Sequence, residues 1–321
     1  MLHEDPSILS VSEFFIGLDK DRRFHESTAQ PNRLAELLSL HMIEQLNFSK
    51  RRIIVPEIRY PYDAPGSRFT LDDPMPWVLQ IALPSLSETP DALFDELIRF
   101  CEELPEQPLA DQYRAVFRWL AEQRNADDWI ERSGSSMEYL DELTSLFPDG
   151  RYLHLHRNGH EAALSMREHE SFRFVVAWRY DIPDQDGVPY SIMRTFDPSS
   201  GPSMSDDLTQ IMQARAPVEY FGRYWTDQVL EGCRAIAKLD PSQHMALAFE
   251  DLVLDPEHEL EAITDFFELH GDRRAARRSA AALVRGTPPA RFETLTREEQ
   301  HQLREACAPG MRLLGRCDRE D

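Results

Sequence analysis

Arg157 and Ser165 are the two residues of this chain best placed to hold an anion. Arg157 follows the run Arg-Tyr-Leu-His-Leu-His at 151–156, which reads as a buried strand opened by the turn signal Asp149-Gly150. Asn158 and Gly159 complete a polar corner, and His160, Glu161, Ala162, Ala163 and Leu164 predict the first turns of a helix. An Arg at the carboxyl end of a parallel strand stands where open α/β sheets bind their ligands. Its planar fork suits a phosphate, and the helix start is expected to add free N–H groups and a positive dipole end. Ser165 lies on the same helix, near enough for its hydroxyl to reach the same anion. The plainer reading is an ordinary strand–turn–helix, and what flanks the corner must decide between the two.

Other constellations carry less. His154, His156 and His160 form an H-x-H-x3-H set without a carboxylate or cysteine at matching spacing, so no metal is expected. Cys101, Cys233, Cys307 and Cys317 show no CxxC spacing, which argues against a zinc knuckle or a disulfide framework. No Walker-type loop with its Lys occurs; Arg132-Ser133-Gly134-Ser135-Ser136 has similar letters but only Trp129-Ile130 before it as strand, and Ser135-x-x-Glu138 reads as a helix cap. Ser10-x-x-Glu13 fits a capping box that opens a short helix within 7–18. Arg273, Arg274, Arg277 and Arg278 read as a solvated helix face, followed by Val284-Arg285-Gly286.

The elements around these residues are predicted from period and punctuation. Thr89-Pro90 starts a helix with Leu93, Phe94, Leu97, Ile98 and Cys101 on its apolar face; Tyr113, Val116, Phe117 and Leu120 mark a second. Val218, Phe221, Trp225 and Val229 mark a long helix, Asp255-Pro256 caps another, and Thr296-x-x-Glu299 caps the last. His244–Glu250 reads as a buried strand, Lys50–Ile58 as a short strand ending at Pro56, residues 60–76 as a loop over a pocket, and residues 181–207 as a mobile, lid-like loop. The chain has 57 acidic against 35 basic residues, a net charge of −22, which argues against nucleic acid as a partner. No apolar run approaches the roughly 20 residues of a membrane span. The start, Met-Leu-His-Glu-Asp-Pro, lacks the pattern of a signal peptide, and a cytoplasmic protein is expected.

The run Trp129-Ile130-Glu131-Arg132-Ser133, then Leu146-Phe147-Pro148-Asp149-Gly150-Arg151, then Arg157 with Ser165, resembles bacterial sulfotransferases that use 3′-phosphoadenosine 5′-phosphosulfate (PAPS). That family has an E-K-T/S-like element, a helix ending L-F-P-D, a strand, and an R-D-P-R-D corner followed by Ser. Here Asn158, Gly159, His160 and Glu161 replace D-P-R-D. The segment His3 to Phe15 is similar to the family's H-x-x-P-x-I-L-S-x-S-E-F-F, and Glu250-Asp251-Leu252 with Asp255-Pro256 to its Y-E-D-L…D-P element, with Phe249 in place of Tyr.

The resemblance implies one α/β domain over 1–321 with a P-loop NTPase-like three-layer fold, a parallel sheet flanked by helices. Its first strand–loop–helix unit, the G-x-P-R-S-G-T-T-like loop that cradles the phosphosulfate, is missing. Either that unit is encoded upstream of Met1 or the phosphosulfate half of the site is lost, in which case nucleotide binding is weak and transfer poor. The resemblance further implies that Arg157 and Ser165 hold the 3′-phosphate, that Arg285 with Gly286 closes over it, that Glu13 is the catalytic base and that Arg132 contacts the acceptor. A carboxylate can serve as base if burial raises its pKa from about 4.3, and otherwise Glu13 only completes the cap. Residues 60–124 would select a small-molecule or carrier-bound acceptor, and no metal is required. The rival readings are a non-catalytic nucleotide-binding relative and a kinase of the same architecture, the latter disfavoured by the absent Walker Lys.

Overall fold

The computed structural model describes residues 1–15, 24, 26–182, 207–269 and 273–316. The expected loop at 181–207 lies, apart from its ends, outside the described residues. In chain order the elements are β1 (Ile8–Ser12), β2 (Thr28–Ala29), α1 (Arg33–Leu38), α2 (Ile43–Lys50), α3 (Pro90–Glu102), β3 (Gln107–Pro108) and α4 (Leu109–Gln123). They continue with β4 (Asp128–Arg132), α5 (Leu140–Leu146), β5 (Tyr152–His156), α6 (Gly159–Arg167), α7 (Glu170–Tyr180), α8 (Asp207–Gln213) and α9 (Val218–Ile236). The last are β6 (His244–Ala248), α10 (Phe249–Leu254), α11 (Pro256–Phe266), α12 (Arg274–Ala281) and α13 (Arg297–Leu313). The chain is α/β: β1 pairs with β4 and β5 with β6, both in parallel, and β2 with β3 antiparallel. Contacts gather it into two compact units, one of Met1–Met42, Glu57–His156 and Ala235–Thr287, the other of Ile43–Pro56, Arg157–Arg234 and Pro288–Asp321.

In the first unit, the expected capping box at Ser10-x-x-Glu13 is absent, because residues 8–12 form a strand. Ile8, Leu9 and Val11 are buried, the pattern of a parallel strand covered on both faces rather than of a helix with one apolar stripe. β1 runs beside β4 with Ile8 opposite Asp128 and Ser12 opposite Arg132. Phe14, fully buried, packs 4.8 Å from Phe117, which stacks on Trp129 at 4.4 Å. Each such side chain removed from water contributes about 1.5–3 kcal/mol. The apolar stripes predicted for α3 and α4 face this core through Phe94, Leu97, Cys101, Tyr113, Val116, Phe117 and Leu120.

The amino-terminal ends of β1 and β4 are pinned by a charge that the solvated-face reading of 273–278 misplaced. Arg273 is only 6% exposed and donates to Asp5 Oδ2 at 2.5 Å, to Ser7 Oγ at 2.6 Å and to Asp128 Oδ2 at 3.3 Å. Arg274 and Arg278 are exposed, as expected, and Arg277 pairs with Glu261 at 3.0 Å. Asp5 and Ser7 precede β1 while Asp128 opens β4, and nothing in the local pattern of 273–278 announces partners so far away in sequence.

Lys50–Ile58, which runs from the second unit into the first, is not a strand. The helix α2 runs to Lys50, and Arg52, at φ +61°, ends it in the left-handed region. Trp225 on α9 is clamped between two glycines: a Cβ at Gly159 would stand 2.5 Å from its ring, and one at Gly310 would stand 2.6 Å away. Thr296 and Glu299 close the expected capping box of α13. Replacing Gly159 with Ala forces the Trp225 ring or the start of α6 to move. The expected cost is about 1–3 kcal/mol or more, read as a lower urea midpoint of the second unit by tryptophan fluorescence.

Candidate functional site

β1 and β4 end side by side, at the carboxyl ends of a parallel pair. The Glu13 N–H donates to the Arg132 carbonyl at 2.9 Å, so pairing runs one residue past β1. There the backbone turns into the left-handed region, with Glu13 at φ +56°. For a non-glycine residue this costs about 1–2 kcal/mol and persists only where the surroundings impose it. The Glu13 Oε1 accepts the Gly134 N–H at 3.0 Å. The next amide, of Phe14, donates to Glu131 Oε1 at 2.9 Å, and the Ser133 hydroxyl donates to the same oxygen at 2.5 Å. The buried Phe14 ring then anchors the turn in the aromatic core.

This arrangement leaves one oxygen over. Oε2 of Glu13 is buried and has no hydrogen-bond partner among the described residues. An orphaned buried acceptor costs about 1–3 kcal/mol and is kept in native proteins chiefly for a reason. Burial raises the Glu13 carboxyl above its usual range, helped by the charge of Glu57 and opposed by the Gly134 amide and the Arg132 guanidinium. Burial also raises Glu131, with the Glu13 charge adding to it against the Ser133 hydroxyl and the Phe14 and Phe15 amides, to about 7. Arg132 is exposed, and its Nε donates to Ser10 Oγ at 3.0 Å. The two catalytic candidates, Glu13 and Arg132, are thus neighbours. Such a pair of strand-end carboxyls beside a cation can take up and release a proton near neutral pH.

Arg157 follows β5 directly, and Ser165 lies on α6; both are partly buried. The helix start, however, does not offer free N–H groups. The Asn158 side chain accepts from the His160 and Glu161 amides at 3.0 and 3.3 Å, the Gly159 amide donates to Met311 Sδ at 3.4 Å, and the Ala162 amide to the Asn158 carbonyl. Asn is a strong N-cap, so the corner satisfies itself. Glu161 in turn accepts the Arg291 and Phe292 amides at 2.8 and 3.0 Å, and His160 stacks on Phe292 at 4.4 Å. The replaced corner letters therefore have structural work: Asn158 caps, Gly159 admits Trp225, and His160 and Glu161 hold the 291–292 segment.

The remaining candidates lie on other segments. Arg285 and Gly286 lie in an exposed stretch after α12, where Gly286 takes φ +91°. His154 and His156 sit with ring centroids 5.4 Å apart on β5, and burial, with the two neighbouring histidines His156 and His244, lowers His154 to about 4. No group of three His, Cys, Asp or Glu that could hold a metal ion occurs among the described residues. No helix of the described residues is long and apolar enough to cross a membrane.

Glu131 is the functional candidate that pattern reading passed over, although it stands within the quoted 129–133 run. The available signal was the period of two: Glu131 shares the strand face of Trp129, so a carboxyl is carried on a core-facing side.

No family model and no curated protein matches this chain. Among solved structures it is similar to a sulfotransferase domain from the curacin biosynthetic pathway at 15% identity and a TM-score of 0.40, over 89% of this chain and 95% of that one. It is similar to the sulfotransferase STF9 from Mycobacterium avium at 16% identity and a TM-score of 0.40, over 97% of this chain and 71% of that one. A third similarity is to the sulfotransferase domain of the Synechococcus PCC 7002 olefin synthase, at 17% identity and a TM-score of 0.34, over 95% of each chain.

Proposed function

We propose that this protein transfers a sulfuryl group from PAPS to an acceptor hydroxyl or amine, with Glu13 as the base. The observation that carries the reading is Glu13 itself: a left-handed strand-end carboxylate of raised pKa, held through Oε1 and unpartnered at Oε2 among the described residues. The motif run 129–133, 146–151, Arg157 and Ser165 supplies the donor class. PAPS, when bound, brings the sulfuryl group and a phosphate leaving group. Glu13 Oε2 takes the acceptor proton as the acceptor's lone pair attacks, and the nearby Arg132 charge favours the ionised form of the base against burial. Arg157 and Ser165 suit the 3′-phosphate through their side chains alone, since Asn158 already holds the first amides of α6. Arg285 with Gly286 is the weaker candidate for closing over it. Transfer of this kind relies on positioning and on cations facing the leaving phosphate.

Adenosine 3′,5′-bisphosphate should bind more tightly than adenosine 5′-monophosphate in calorimetric titration. Charge-assisted contacts are worth about 1.5–3 kcal/mol, so Arg157→Ala should weaken the bisphosphate roughly 10- to 150-fold and abolish the preference. Arg157→Lys should recover only part, lacking the fork. Equal affinity for the two nucleotides in the wild type sinks the phosphate assignment. The self-capped corner favours one second reading, a relative that binds the nucleotide weakly without turnover, for which the preference persists and no acceptor is labelled.

A further inference from the structure

We propose that Glu131 is the positioning residue of Glu13: it holds the left-handed turn by its bonds to the Phe14 amide and the Ser133 hydroxyl, and the two carboxyls act as a coupled pair. The inference deepens the transfer reading, on which the role of Glu13 as base rests, but the interlocking of the two turns stands on hydrogen bonds that are independent of it. The register of β1 and β4 puts the two side chains at adjacent strand ends, and the Glu13 N–H to Arg132 carbonyl bond closes that end. Glu131 then receives the amide that follows Glu13, which fixes the peptide plane and with it the direction of the Glu13 side chain. Glu13 accepts in return from Gly134, the residue after Ser133, so each strand's carboxyl grips the loop leaving the other strand.

The surroundings shield the two carboxyls from water. Phe14, Phe15 and Tyr139 are buried beside them, so water screens the pair poorly. Among the described residues, Arg132 and Glu57 act on Glu13, and both carboxylates act on the Tyr139 phenol; the Met1 ammonium in turn feels Arg132. Two carboxylates in such a site do not ionise independently. While Glu131 keeps its proton, Glu13 ionises more easily and is the weaker base. As Glu131 loses its proton with rising pH, its charge strengthens the hold of Glu13 on a proton taken from the acceptor.

Glutamate-selective 13C labelling reads this directly, with the Glu13 carboxyl resonance assigned by its loss in Glu13→Gln. In the wild type the resonance should titrate in two steps, the upper one coinciding with that of Glu131. In Glu131→Gln, which keeps an acceptor oxygen for Phe14, the upper step should vanish and leave a single one, while in Glu13→Gln the Glu131 midpoint should fall because the Glu13 charge that raises it is gone. The rise of kcat through that upper step should likewise vanish in Glu131→Gln, with the acid limb and KM unchanged. A single-step wild-type curve, or a Glu131 midpoint unmoved in folded Glu13→Gln, overturns the proposal. A protein that shows the two-step curve but transfers no sulfate refutes the transfer reading and leaves the coupling standing.

Discussion

Glu13→Gln should lower sulfuryl transfer about 10²- to 10⁴-fold, the usual worth of a positioned general base. The same change should leave the melting temperature at neutral pH unchanged or raise it. The amide oxygen keeps the Gly134 bond, and a buried carboxylate whose pKa is raised by burial destabilises the fold in its ionised form. The sign follows from linkage: a raised folded pKa means that stability is fully present below the unfolded pKa and is lost as pH rises through the folded one. Glu13 and Glu131 should together make the wild type lose stability between about pH 4.5 and 7, and Glu13→Gln should flatten that decline. Transfer rates with thermal melts across this range check both halves. A variant that loses activity only by unfolding contradicts the assignment of Glu13 as base.

Arg273→Ala should destabilise the first unit by about 3–5 kcal/mol, because it strands the Asp5 carboxylate without its buried partner. Urea unfolding measures the loss. Burial on its own would raise Asp5, but the Ser7 hydroxyl, the Ser7 amide and Arg273 together hold it below its usual range. Its contribution is therefore present at neutral pH and is lost as pH falls below the ordinary carboxylate range. Arg273→Ala should accordingly cost most at neutral pH and less in acid. A cost under about 1 kcal/mol, the level of an exposed pair, would show that this network does not pin β1 to β4.

Local pattern made the helices legible, because a stripe such as Phe94, Leu97 and Cys101, or a cap such as Thr296 with Glu299, is written within a few residues. It misled at Ser10-x-x-Glu13, where capping-box letters belong to a strand end. The deciding partner, Arg132, lies far along the chain and shows only after β1 and β4 pair. The same distance hid the partners of Arg273 and the grip of Glu131 on Phe14. At the corner, the position of Arg157 after a strand was readable, while the consequence of Asn158 was not drawn. An N-cap side chain placed there takes the amides that a phosphate would need, and that follows from the sequence alone once the helix start is set at Gly159.

The central claim is tested most directly by incubating the protein, as expressed from its natural gene, with sulfur-labelled PAPS and a pool of hydroxyl and amine acceptors. The account predicts that label appears in an acceptor while adenosine 3′,5′-bisphosphate accumulates in equal amount, and that Glu13→Gln of the same protein suppresses both at least about 100-fold. Label that stays on the nucleotide, although the bisphosphate binds, would contradict it and leave a nucleotide-binding protein without the chemistry.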